Sequence, residues 1–281
     1  MKLITFVHLG KTMVGAITDR YIYPLPYSSM NELILSGSNI EKLVAMAGNP
    51  IAIQESKILA PIPHPRQDII CLGINFLEHA VESARYKKEA FGGDRPYAVY
   101  FSKRVNECLP DKGVLPDYKD IVDSLDYECE LAAEIGKDAK NVTKEKAFGY
   151  VFGYTIMNDI SARNLQTIHK QWYFGKSLDG FAPMGPCIVT EDEFSRPPIL
   201  TVKSFVNGEL RQNSTTDLLI FDIPHVIAEL SQGMTLKAGT IIAMGTPAGV
   251  GMGFRPPKFL KKGDVVECVI ENIGTLTTYI D

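Results

Sequence analysis

The sequence predicts an α+β, β-rich fold, and three observations carry that reading. Short runs of β-branched and aromatic residues recur along the chain between Gly, Pro, Asn and Asp turn signals. The long alternation of strand and helix that marks a doubly wound sheet does not occur. A proline-spaced stretch, Ala60-Pro61-Ile62-Pro63-His64-Pro65-Arg66, suits neither a helix nor a central strand. It divides the chain into a small N-terminal α/β domain, 1–60, and a main domain, 61–281. With 281 residues, 45% hydrophobic and 22% charged, the chain can bury one large core plus a small accessory unit.

In the first domain, Leu3-Ile4-Thr5-Phe6-Val7 and Met13-Val14-Gly15-Ala16-Ile17 read as strands, with Gly10 and Asp19 as turn signals. Two short helices follow, over 29–35 and 38–46, because Ser29 and Asn39 are cap residues placed before apolar positions at helical spacing. In the main domain Asp68-Ile69-Ile70-Cys71-Leu72-Gly73 has the pattern of a buried strand. The stretch from Asn75 to Arg85 is helix-forming and sets His79 and Glu82 three residues apart on one face. Tyr86 to Asp94 is charged and glycine-containing, and reads as a mobile flap before the strand Tyr97–Phe101. Later strands are expected at 188–190, 200–206, 240–244 and 265–270, with Asn207-Gly208 as a hairpin turn and Pro224 opening a helix.

Composition narrows the function classes. A formal net charge of -4 provides no basic field, so neither nucleic acid nor an anionic membrane is expected as the partner. No apolar run approaches the roughly 20 residues of a membrane span, and the N-terminus turns polar too early for a secretory signal. The expected location is the cytoplasm. The five cysteines are widely spaced and form no Cys-x-x-Cys, which argues against both a disulfide framework and a zinc knuckle.

The chemistry centres on Asp126-Tyr127-Glu128-Cys129-Glu130-Leu131-Ala132-Ala133-Glu134-Ile135-Gly136. In a strand, Glu128 and Glu130 project to one face while Tyr127, Cys129 and Leu131 project to the other. Two adjacent carboxylates repel unless a positive charge lies between them, and a hard divalent cation with oxygen ligands is the simplest such charge. A solvated strand face carrying two glutamates is the alternative. Asp159 closes the β-prone run Tyr154–Asn158, where a strand-end cap would serve equally. His79 and Glu82 read either as surface residues or as a base and the carboxylate that orients it. Lys176 fails the P-loop pattern, since Lys170 stands where a glycine is required. Gly245-Thr246-Pro247-Ala248-Gly249-Val250-Gly251 lacks dinucleotide spacing, yet it offers a hydroxyl and backbone amides that suit a carboxylate.

Taken in order, the Glu-x-Glu, Asp159, Gly175-Lys176-Ser177-Leu178-Asp179-Gly180 and the Gly-Thr-Pro-x-Gly-Val-Gly loop resemble the fumarylacetoacetate hydrolase family from about Pro61 to the C-terminus. Asn75-Phe76-Leu77-Glu78-His79 looks like the family's Asn-Tyr-x-x-His segment, with Phe76 in place of the tyrosine. The resemblance implies a mixed β-sandwich or roll core and one Mg²⁺ or Mn²⁺ per subunit on Glu128, Glu130 and Asp159. It implies catalysis by His79, Glu82 and Lys176, with Lys176 and Thr246 on the substrate. Arg163 and Gln166 either bind the distal part of the substrate or make structural hydrogen bonds. The implied partners are a small 2-oxo acid and a second copy of the chain in a homodimer. The implied reaction is hydrolytic carbon–carbon cleavage of a 3-acylpyruvate through a metal-stabilised pyruvate enolate. Oxaloacetate decarboxylation and 2-hydroxyhepta-2,4-diene-1,7-dioate isomerisation use the same site, and an inactive scaffold relative is the non-enzymatic alternative.

Overall fold

The computed structural model describes residues 1–87 and 96–281, with strands in sheets of eleven, five and two among the described residues. The largest sheet runs from Ile51–Ala52 through Tyr21–Pro24, Lys11–Ile17 and Lys2–His8. It continues through Met184–Thr190, Val151–Asn158, Cys129–Ile135, Ile241–Ala243 and Ile69–Gly73 to Val99–Lys103. The N-terminal strands and the later ones thus share one sheet, joined where Lys2 and Leu3 pair with Val189 and Ile188. Its pairings are antiparallel except for Ile241–Ala243 against Ile69–Gly73, which is parallel.

The five-stranded sheet is ordered Glu209–Thr215, Thr201–Val206, Val265–Ile270, Gly274–Ile280 and Gly113–Leu115. Its hairpin turns at Asn207 and Gly208, both with positive φ (52° and 78°), as the right-handed strand twist requires of a two-residue turn. The two larger sheets face each other through apolar side chains. Tyr127, Cys129, Leu131, Ala133 and Ile135 join Val202, Val206, Val266, Cys268 and Leu276 in one buried cluster. Ala132, between them in sequence, joins a second cluster on the opposite face with Ile69, Cys71, Met157 and Ala243. The period of two thus sends Glu128 and Glu130 to the face away from the inter-sheet core.

The helices start where capping chemistry places them. Ser29 accepts the Glu32 N–H before the helix Met30–Ser36, and Asn39 accepts the Lys42 N–H before Ile40–Ala45. Asp222 caps Ile223–Gly233, with proline in the first turn. The helix bearing His79 and Glu82 spans Leu77–Lys87, and the next strand is Val99–Lys103, two residues later than the sequence pattern placed it. Tyr86 belongs to that helix, and the rest of the expected flap from 88 onward lies outside the described residues. No described helix is long and apolar enough to cross a membrane.

Glu134 continues the Glu128 and Glu130 face of its strand without joining their site. It is fully buried, and neither carboxylate oxygen has a hydrogen-bond partner among the described residues. Burial holds its carboxyl well above the ordinary glutamate value of 4.5. The folded state therefore keeps this proton longer than the unfolded chain does. Its stability is fully present below about pH 4.5 and declines as pH rises toward the folded value. Glu134→Met is expected to raise Tm, with a gain that grows between about pH 4 and pH 8, reaching roughly 1–3 kcal/mol, the cost of an unsatisfied buried polar group. Thermal melts across that range check this; a gain that stays flat or shrinks with pH contradicts it.

Candidate active site

The end of one hairpin brings the three acids together. Cys129 pairs with Asn158 and Glu130 with Met157 in the antiparallel ladder. Just past the ladder, the Asp159 N–H donates to the Glu128 carbonyl (2.8 Å), and the Asn158 side chain accepts the Glu128 N–H (3.1 Å). Glu128, Glu130 and Asp159 are all buried, and each offers a carboxylate oxygen within 4.8 Å of the others. Three oxygen donors without nitrogen or sulfur are the donor set a hard divalent ion takes, so this triad is fit to hold one.

Three cations surround the acids. Lys176 Nζ donates to Glu128 Oε2 at 2.8 Å and Asp159 Oδ2 at 2.6 Å. Lys103 Nζ donates to Asp159 Oδ1 at 2.6 Å and to the Ile160 carbonyl at 3.0 Å. Arg163 reaches Glu128 Oε1 through Nη1 at 2.7 Å and Asp126 Oδ2 through Nε at 2.9 Å. These contacts divide the acids. Burial would raise the Glu128 carboxyl, but Lys176 and Arg163 outweigh it and hold the group well below the usual range. Burial, reinforced by Asp159 and Glu128, pushes the Glu130 carboxyl well above it. For the Lys176 ammonium, burial is overcome by Asp159 and Glu128, so it stays charged; for Lys103, burial dominates and lowers its value.

Above the acids lies a cavity of about 550 Å³ whose lining includes His79, Glu128, Arg163, Gln166, Lys176 and Thr246. These six residues come from widely separated parts of the sequence and meet on one space. Glu130 and Asp159 lie beneath it. Leu72, Phe101, Trp172 and Met252 supply an apolar wall, with Phe101 and Trp172 edge to face at 5.2 Å between centroids. His169 stays at the exposed end of the Arg163–Ile168 helix, against the Phe174 ring, and is not among the lining residues.

His79 Nδ1 lies 3.0 Å from Glu82 Oε2. A carboxylate can only accept, so the imidazole proton resides on Nδ1 and the Nε2 lone pair is free for proton transfer. The other Glu82 oxygen accepts the Gly249 N–H at 3.1 Å. Gly253 leaves the space the Glu82 carboxylate fills, since a methyl at that position would overlap it. The glycine-rich loop thus orients the His–Glu pair as well as facing the cavity. At its start Gly245, with φ 90°, donates its N–H to Glu130 Oε2 at 2.9 Å. Phe76, the departure from the family's tyrosine, is buried, while Asn75 beside it bonds the Phe221 backbone and the Met244 carbonyl.

Four buried polar residues escaped the sequence reading: Lys103, Asp126, Asn158 and Gln212. Asp126 accepts the Gly251 and Met252 amides as well as Arg163, tying the strand entry to the glycine-rich loop. Lys103 closes the β-prone run Val99-Tyr100-Phe101-Ser102, where a lysine reads equally as a solvated strand end, and Gln212 had no signal at all.

A family model for the fumarylacetoacetate hydrolase C-terminal region matches residues 68–281. The chain is 46% identical over 229 residues to the oxaloacetate tautomerase YisK of Bacillus subtilis, covering 82% of this chain and 74% of that protein. Among solved structures, a fumarylacetoacetate hydrolase from Exiguobacterium antarcticum superimposes with a TM-score of 0.88 at 38% identity, covering 100% of this chain and 99% of that one. A 2-hydroxyhepta-2,4-diene-1,7-dioate isomerase from Mycobacterium marinum superimposes with a TM-score of 0.77 at 27% identity, covering 100% and 98%. The motif order, the buried acid triad and these matches agree, and the chain belongs to the fumarylacetoacetate hydrolase family.

Proposed function

We propose that the chain is a Mg²⁺- or Mn²⁺-dependent enzyme that moves a proton at C3 of a small 2-oxo dicarboxylic acid, interconverting the keto and enol forms of oxaloacetate. The single observation that carries this reading is that His79, paired with Glu82, and Glu128, a member of the buried three-carboxylate cluster, line one cavity. The name of the 46% identical relative supports the substrate. Glu128, Glu130 and Asp159 would hold a divalent ion, which would supply Lewis acidity at the substrate's 2-oxo group and so acidify C3. His79 Nε2 takes the C3 proton, and Glu82 stabilises the imidazolium that results. Arg163 and Gln166 bind the distal carboxylate, and the Thr246 amide, on the loop residue that lines the cavity, binds the proximal one. Lys176, held charged by Glu128 and Asp159, offsets the negative charge that develops on the substrate oxygen.

Hydrolysis of a 3-acylpyruvate, which the sequence reading placed first, is the second reading. The free Nε2 of His79 favours it. That nitrogen can equally take a proton from water, whose oxygen then attacks the C4 carbonyl and breaks the C3–C4 bond. Decarboxylation of oxaloacetate is the third outcome, and it needs no water nucleophile. The homodimer is part of the same proposal, and light scattering on the purified protein checks it.

Three assays on one preparation separate these readings: oxaloacetate keto–enol exchange, coupled detection of pyruvate from oxaloacetate, and loss of acetylpyruvate absorbance. Exchange is expected to be fastest, and EDTA is expected to abolish it, with Mg²⁺ or Mn²⁺ restoring it. Acetylpyruvate cleavage exceeding exchange moves hydrolysis into first place, while activity indifferent to EDTA removes the metal role. His79→Ala is expected to lower kcat about 10²–10⁴-fold, the usual contribution of a general base. Retention of the wild-type rate rules out the assigned base. Calorimetric titration of Glu130→Gln with Mn²⁺ is expected to show no binding at concentrations that saturate the wild type, and wild-type affinity there refutes the triad.

A further inference from the structure

Gln212 belongs to the five-stranded sheet, on the strand Glu209–Thr215, yet its side chain reaches the acid-bearing strand of the other sheet. It is fully buried. Its Oε1 accepts the Cys129 N–H at 3.1 Å, and its Nε2 donates to Thr246 Oγ1 at 2.7 Å and to the Pro247 carbonyl at 2.8 Å. Both Nε2 hydrogens are thereby used. Cys129 stands between Glu128 and Glu130, and Thr246 lines the cavity. One amide therefore bridges the backbone between two of the triad's acids and the loop that faces the substrate.

The same bonds fix a proton. An amide nitrogen only donates, so Thr246 Oγ1 must accept from Gln212. Thr246 then directs its own hydrogen to the Cys129 carbonyl, 2.9 Å away. The hydroxyl that the sequence pattern offered to a substrate carboxylate is committed to the protein backbone.

We propose that Gln212 is a positioning residue of this site. It holds the Glu128–Glu130 segment and the Thr246–Pro247 loop at a fixed separation and keeps the Thr246 hydroxyl proton turned to Cys129, leaving the Thr246 amide to meet the anion. This rests on the metal and substrate roles proposed above.

The test uses the full-length protein and two variants. Gln212→Met keeps the length of the side chain and removes every hydrogen bond. Gln212→Glu keeps an acceptor for Cys129 and, whether ionised or held as the neutral acid, can no longer donate to both Thr246 and Pro247. The readouts are Mn²⁺ affinity by calorimetry without substrate, the separate values of kcat and KM, and Tm. In Gln212→Met, Mn²⁺ affinity is expected to weaken and KM to rise, each about tenfold or more, the range seen when groups behind metal ligands are removed. In Gln212→Glu, KM is expected to rise by a similar factor while Mn²⁺ affinity stays within about twofold, because the Cys129 contact survives. A merely structural glutamine would lower Tm and leave Mn²⁺ affinity and KM of the folded protein unchanged, which overturns the proposal. Should Gln212→Met not fold, a wild-type KM in Gln212→Glu overturns it alone. Failure of the underlying reading looks different, because the wild type itself would then bind no Mn²⁺ and turn over neither oxaloacetate nor acetylpyruvate, and both would fall.

Discussion

Crowding of negative charge beneath the cavity is the constraint on which the structure depends. Glu128, Glu130 and Asp159 are buried with carboxylate oxygens within 4.8 Å of one another, and Asp126 lies beside them on Arg163. Isolated buried carboxylates are costly, and groups this close raise one another's affinity for protons. The fold answers with cations from three separate segments, at Lys103, Arg163 and Lys176, and with amides of the glycine-rich loop. Sheet register, loop conformation and the seat of the Leu77–Lys87 helix are all set by bonds to these acids or to groups one step behind them.

That arrangement separates the parts of the chemistry. The acids form a floor at the end of two paired strands, whereas His79, the proposed base, sits on a helix and is oriented through Glu82 and the Gly249 amide. Electron withdrawal at a 2-oxo group is common to enolisation, decarboxylation and hydrolytic cleavage, whereas proton removal by an imidazole serves enolisation and hydrolysis. What differs is the group at C4 of the substrate and whether water has access to it.

Legibility in the sequence followed the same division. Glu128 and Glu130 were readable because a period of two puts them on one face, and the buried Tyr127, Cys129 and Leu131 confirm the opposite face. Ser29, Asn39, Asn207-Gly208 and Pro224 marked their helices and turn through local capping and turn chemistry. Lys103 and Gln212 were not readable, because each meets the site only through tertiary contact, across 56 residues to Asp159 and across 83 to Cys129. A buried lysine or glutamine carries no local pattern that separates it from a surface one. Glu134 shows the reverse failure. It shares the face and spacing of the two acids, but falls too far along the strand to join them.

The charge balance bears on which substrates the site attracts. Fully ionised, Asp126, Glu128, Glu130 and Asp159 outnumber Lys103, Arg163 and Lys176 by one charge, an excess removed while Glu130, its carboxyl raised by burial, keeps its proton. A divalent ion displacing that proton would leave one positive charge beneath a low-dielectric cavity, where Coulomb attraction is stronger than in water. Arg163, already counted in that balance through Asp126 and Glu128, also reaches Gln166 at the cavity wall. A dicarboxylate carries two charges into this field, and a neutral acyl group at the distal end forgoes the attraction of one of them. With a metal bound as proposed, that field would favour a 2-oxo dicarboxylate over a 3-acylpyruvate with a simple alkyl terminus, an electrostatic argument independent of any relative's name.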